Sequence, residues 1–359
     1  MNKTLNDMAG YLKDLIPPKP DRPYALKPMF QPVGGEERIQ AGVDAFRDFL
    51  FRLYDLLQAE GGKYEKSGDE SRKETHDHTS LPVTFPFLNS IKSVLVNLGY
   101  YGRLSAAGDA ILFDNPQILT ALLNAEGQPL RAKMTAPKLL ECLRFLTACG
   151  VEFGSVSLDA GKLDLSKLEL LTVSYPAAPD MLTGLKVMAM AQKELYTKGN
   201  DELFMRCDYR VIKAESTEVT SVLKDFLNPL PVRVQDFALQ LHQRYLDLGL
   251  RCQVEIRYLR VRFSYYYKNK ELWMFSTSLN HGCRIIIKAV NTHRYADVVE
   301  TFPLSLREQI ARGYGCDKKK FGEPCQGGCH GFRIPLDESV LEIGQGVQIW
   351  LDRELSCLR

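Results

Sequence analysis

The chain lacks the short motifs by which most nucleotide-binding and hydrolytic enzymes show themselves. It contains no G-x-x-x-x-G-K-[ST] phosphate loop, no G-x-G-x-x-G after a strand, no G-x-S-x-G elbow, no H-E-x-x-H pair and no kinase signature. An enzyme built on it would need an unfamiliar site, and the reading leans away from catalysis. An excess of one charge is also missing. Forty-six Lys and Arg stand against 44 Asp and Glu, so no global field draws the protein to nucleic acid or an anionic membrane. Uncharged apolar runs fall far short of the ~18 residues a membrane span requires. Met1 to Gly10 carries Asp7 and no apolar run of signal-peptide length, from which a cytoplasmic protein with no membrane partner is expected.

What is present fits a folded protein of two domains or three small ones. Of the 359 residues, 45% are hydrophobic and 25% charged, which gives disorder, collagen-like and coiled-coil readings no support. Nine cysteines, an odd number, are scattered through apolar stretches and not spaced as a disulfide framework, which favours a reducing compartment.

Punctuation and periodicity predict three regions. Residues 1–80 hold a proline-rich segment in which only Thr4 to Ile16 can be helical, then an amphipathic helix from Glu36 to Glu60 ended by Gly61 and Gly62. A polar loop from Lys63 to Ser80, expected to stay flexible, completes that region. Residues 81–228 read as a first α+β domain. Its helices fall at Phe85 to Leu98, Pro116 to Asn124, Thr135 to Gly150 and Met181 to Tyr196, and its strands near Ala110 to Phe113, Val151 to Leu158 and Leu168 to Ser174. Residues 229–359 read as a second α+β domain. A helix over 233–248 precedes strand-like runs Arg251 to Tyr267, Leu272 to Ser278 and Arg284 to Val290, and a helix kinked at Pro303 follows. The expected fold is therefore α+β, with two helix–antiparallel sheet–helix domains after a helical N-terminal region. The repeated plan raises an internal duplication.

Two clusters carry chemistry. Cys316, Cys325, Cys329 and His330 fall within 15 residues in a polar, glycine-rich stretch that fits burial poorly. Thiolates plus an imidazole are what Zn²⁺ takes, and a closed four-ligand site orders an otherwise structureless loop. The fourth ligand is open among His330, Cys283, Cys357 and His281. An iron–sulfur cluster, a redox or disulfide role, and plain structural cysteines are the other readings, and Lys318 to Lys320 would lower nearby thiol pKa values.

The second cluster is the strand sequence from Arg257 to Lys268. Alternation places Leu259, Val261, Phe263 and Tyr265 on one face and Arg260, Arg262, Ser264 and Tyr266 on the other. From Pro231 onward 19 Lys and Arg face 14 Asp and Glu, so this half is basic. Arg257, Arg260, Arg262 and Lys268 could hold an anion, a phosphate-bearing ligand or nucleic acid; a solvated face with cross-strand ion pairs is the plain alternative. Lesser candidates are Cys207-Asp208-Tyr209-Arg210, His76 with His78, and Tyr175, while Trp273 and Met274 read as core.

The stretches Tyr175-Pro176-Ala177-Ala178-Pro179-Asp180-Met181, Arg206-Cys207-Asp208-Tyr209-Arg210 and the cysteine cluster with Gly331-Phe332-Arg333-Ile334-Pro335 resemble an uncharacterised protein family of anaerobic Gram-positive bacteria, over about residues 85–350. The resemblance implies a bacterial cytoplasmic origin and a cysteine cluster that belongs to the family, and it brings no function. The plan of residues 233–312 is also similar to small bacterial domains with a frataxin-like or double-wing layout. Three functions follow as expectations. The first is a non-enzymatic binding protein for a small ligand or protein partner, with a structural zinc. The second is an anion- or nucleic-acid-binding protein that uses the arginine face. The third is a thiol-redox protein that uses Cys325 and Cys329.

Overall fold

Leu5 to Leu15 forms the first helix, α1, because Thr4 and Asp7 cap it reciprocally: the Thr4 hydroxyl accepts from the Asp7 amide, and the Asp7 carboxylate accepts from the Thr4 amide. The structure is a computed structural model that describes residues 3–20, 23–64, 85–125, 134–159, 163–165, 168–195, 203–257, 260–279, 281–311 and 331–359. These residues divide into two units, one ending at Ser216 and the other running from Thr217 to Arg359.

In the first unit α2 spans Glu36–Tyr64 and buries Ile39, Val43, Phe46, Leu50, Leu53 and Leu57 along one stripe. The helix does not stop at Gly61 as expected. Gly61 lies where α1 packs, and a Cβ there would come 2.9 Å from Asn6 Oδ1, so the glycine serves a close approach and not a helix end. The helices α3 (Pro86–Tyr101), α4 (Leu119–Ala125) and α5 (Ala136–Ala148) follow, with the strands β1 (Arg103–Leu104), β2 (Ala110–Asp114), β3 (Glu152–Gly154) and β4 (Leu170–Ser174). Their sheet is antiparallel throughout, in the order β1-β2-β4-β3. Of the expected strand Val151 to Leu158, only three residues pair. Helix α6 (Met181–Met190) buries eight of its ten residues and is the unit's central helix.

The second unit opens with α7 (Val219–Leu227) and α8 (Val232–Asp247). Strands β5 (Arg251–Arg257), β6 (Arg260–Tyr267), β7 (Lys270–Ser278), β8 (Gly282–Ile287) and β9 (Phe332–Pro335) then form one antiparallel meander in sequence order. The run Arg251 to Tyr267, expected as a single strand, is two strands of a hairpin. The residues between β5 and β6 include no Gly, Pro, Asn or Asp, so nothing announced the turn. Helices α9 (Ala296–Glu300) and α10 (Leu304–Ala311) replace the one kinked helix, because proline at 303 leaves two pieces. Helix α11 (Val340–Leu358) was not anticipated and carries the buried Trp350.

The architecture is thus α+β, with two antiparallel sheets. The duplication finds no support, since the first sheet places β4 between β2 and β3 while the second follows chain order.

Candidate anion-binding face

Register decides which side chains of the second sheet meet. Across the strands run two apolar rows, Val254–Phe263–Phe275–Ile285–Ile334 and Cys252–Tyr265–Trp273–Ile287–Phe332. Phe263, Phe275, Ile285, Tyr265, Trp273 and Ile287 are fully buried, and Tyr265 stacks on Trp273 with ring centroids 3.7 Å apart. This is the core face. The hydroxyl of Tyr265 also meets His242 Nδ1 at 2.6 Å, and Thr220 Oγ1 lies 3.0 Å from the other ring nitrogen. Burial pushes this imidazole below its ordinary pKa against an opposing pull from Glu218, which favours a neutral histidine that bridges two hydroxyls.

The alternate positions make the opposite face, again in two rows: Glu255–Arg262–Ser276–Arg284–Pro335 and Gln253–Ser264–Met274–Ile286–Arg333. Three arginines, from β6, β8 and β9, therefore take this face beside the buried Ser264 and Ser276, with Arg262 and Arg333 three strand spacings, about 14 Å, apart. Arg262, Arg284 and Arg333 are half-buried. Long arginine stems can cover sheet surface while the charged heads reach its rim. Arg262 has Glu255 at 3.8 Å, a loose, partly exposed pair of small worth. The Nε atoms of Arg262 and Arg333 are buried and have no hydrogen-bond partner among the described residues. A buried donor without an acceptor is costly, so the patch is chemically suited to a group rich in oxygen acceptors.

Of the four basic residues singled out from sequence, the register keeps Arg257, Arg260 and Arg262 on one face of the β5–β6 hairpin, and Lys268 lies apart. Arg257 pairs with Arg260 in register at the outer end of the β5–β6 hairpin, and Arg262 lies in the middle of the face. Lys268 is at the far turn in a left-handed conformation (φ 54°), its ammonium 5.3 Å from the Tyr267 ring. Six residues of strand, about 20 Å, separate it from Arg262. Arg284 and Arg333, which the sequence reading does not single out, take the same face as Arg262. Both lie in strand-like runs, but nothing in the chain order told that β8 and β9 would bring them beside Arg262.

Cys316, Cys325, Cys329 and His330 lie outside the described residues, as do His76 and His78. Among the described residues no three His, Cys, Asp or Glu side chains are grouped to hold a metal. Of the alternatives for a fourth ligand, Cys283 is half-buried opposite Thr277 on β8, and Cys357 is exposed near the end of α11. Tyr175 is buried edge-on against Phe49.

The cluster at Cys207 is structural. Asp208 and Arg206 are each 2% exposed and bonded at 2.8 Å, while Arg210 reaches both carboxylate oxygens at 2.6 and 3.0 Å. Burial works to raise the Asp208 carboxyl, but the two guanidiniums outweigh it and hold the pKa below the ordinary carboxylate range. Burial raises the Cys207 thiol far above its usual value, which makes it a poor nucleophile.

A cleft of about 360 Å³ in the first unit is lined by Pro32, Val33, Tyr100, Leu104, Lys186, Met190 and Glu194. Its lysine is already engaged. Lys186 Nζ donates to the carbonyls of Tyr100 and Gly102, both at 2.7 Å, and so closes the C-terminal end of α3.

Among the described residues no helix is long and apolar enough to cross a membrane. No protein-family model matches the chain, and no solved structure matches it. The arginine face must therefore be read on its own chemistry.

Proposed function

We propose that the second unit is a binding module for an anionic ligand, held by Arg262, Arg284 and Arg333 on the outer face of the β5–β9 sheet. The observation that carries this reading is the register that sets three arginines on one face of the sheet, with the buried Nε donors of Arg262 and Arg333 lacking an acceptor among the described residues. Guanidinium forks match the paired oxygens of phosphate and carboxylate.

Isothermal titration of the full chain with inorganic phosphate tests the reading. Binding should weaken as salt rises, and Arg262→Gln with Arg333→Gln should lower affinity about tenfold or more. Absence of phosphate binding, or unchanged affinity in the double variant, would overturn it. The variant should fold normally, because half-buried cations with few partners contribute little to stability.

A structural zinc on Cys316, Cys325, Cys329 and His330 stands beside this as a proposal supported by ligand type and proximity in sequence. Elemental analysis of the purified protein should find about one zinc per chain, lost in Cys325→Ser. Equal metal content in that variant and the parent would sink the idea.

A further inference from the structure

Lys186 and Met190 are the two residues of α6 that are not fully buried, and they stand one helical turn apart on the same side. After Met190 the chain winds on as a single π turn, Ala191–Leu195. Every fourth residue of an α-helix drifts about 40° round the axis, and the wider π turn takes back part of that drift, so Glu194 falls in line with them. All three line the cleft of about 360 Å³ in the first unit, to which Pro32, Val33 and Leu104 add apolar surface. The two charges there are only partly used. Lys186 Nζ gives two of its three donors to carbonyls, and the third has no partner among the described residues. Burial pulls the pKa of this ammonium below its ordinary value. The Glu194 carboxylate accepts from the Tyr100 hydroxyl and makes no ion pair among the described residues. Lysine and glutamate thus line one cleft without pairing with each other.

A ligand of a single charge would meet its like in this cleft. Glu194 repels a simple carboxylate, and a simple amine meets Lys186 and also Lys193, whose ammonium lies 5.7 Å from the Tyr100 ring. A small zwitterion satisfies both groups through charge-assisted hydrogen bonds. The volume suits a small molecule, and the apolar surface suits a side chain without polar atoms. We infer that the cleft binds an apolar α-amino acid, its carboxylate on Lys186, its ammonium on Glu194 and its side chain against Val33, Leu104 and Met190. The site lies wholly in the first unit and takes nothing from the arginine face of the second.

Titration calorimetry of the full chain with L-leucine, L-methionine and L-phenylalanine tests the inference. Isocaproate, isoamylamine and glycine serve as probes that lack, in turn, the ammonium, the carboxylate and the side chain of leucine. At least one of the three amino acids should bind, and each stripped probe should bind about tenfold or more weakly than it. Glu194→Gln should lower the amino-acid affinity about tenfold and leave that of isocaproate equal or higher. The variant keeps its fold, because residue 194 is exposed and glutamine still accepts from Tyr100. Binding of none of the three amino acids, isocaproate binding as tight as theirs, or equal amino-acid affinity in Glu194→Gln overturns the inference.

Discussion

Asp208→Asn should destabilise the first unit by about 3–5 kcal/mol, a large polar effect. The carboxylate is the shared acceptor of Arg206 and Arg210 in a site from which water is excluded. An asparagine keeps the shape but withdraws the charge, so Arg206, itself 2% exposed, loses the buried carboxylate to which it is bonded. The surrounding fold cannot relax to hydrate the guanidinium. Cys207 occupies a left-handed conformation with its Sγ turned to the Val43 carbonyl, and Tyr54 donates to the Met205 carbonyl, so the segment is fixed from both sides. Urea unfolding followed by far-ultraviolet circular dichroism checks this; a loss below about 1 kcal/mol would show that the pair is solvated and the burial argument wrong. The same network implies a pH dependence. Because the folded-state pKa of Asp208 is lowered, its contribution is present above the unfolded value of 3.8 and is lost as pH falls through the folded value.

The second large effect is expected where α2 and α6 cross. A Cβ on Gly184 would lie 2.0 Å from the Gly42 carbonyl oxygen and 2.4 Å from its carbon, while one on Gly42 would lie 2.8 Å from the Asp180 oxygen. These are backbone atoms of the opposing helix, and no rotamer change can move them aside. Gly184→Val must therefore force two buried helices apart, and a loss of more than about 3 kcal/mol is expected. Gly184→Ala makes the sharper test. In an exposed helix the change from glycine to alanine stabilises by about 1 kcal/mol, as it should at Gly62 of α2, where a Cβ meets nothing within 4 Å. At Gly184 the sign should reverse. Thermal melts of the two alanine variants read this directly, and a shift in the same direction for both would refute the close-contact argument.

Such contrasts mark how far the chain could be read. The α2, α5 and α8 helices were legible because their apolar residues recur at three- and four-residue steps, a signal local to each segment. The core and cationic faces of β6 were legible for the same reason, with a period of two. Gly61 reads as a stop because a glycine that ends a helix and one that admits a neighbouring helix look alike in sequence; only the position of α1 separates them. The Asp208 cluster could be seen as a carboxylate beside two arginines, but its meaning hangs on burial, which depends on segments distant in sequence such as Val43 and Tyr54.

For the candidate site the division is sharper. Sequence alone determined that the protein is α+β, that its C-terminal half is basic, and that Arg262 lies on the polar side of an amphipathic strand. Tertiary structure decided that Arg284 and Arg333 join it while Lys268 does not. The reason is physical: alternation fixes which side of its own strand a residue takes, whereas a site across three strands depends on register. Register is set by hydrogen bonds and core rows that bring β9 beside β8 across a long separation in sequence.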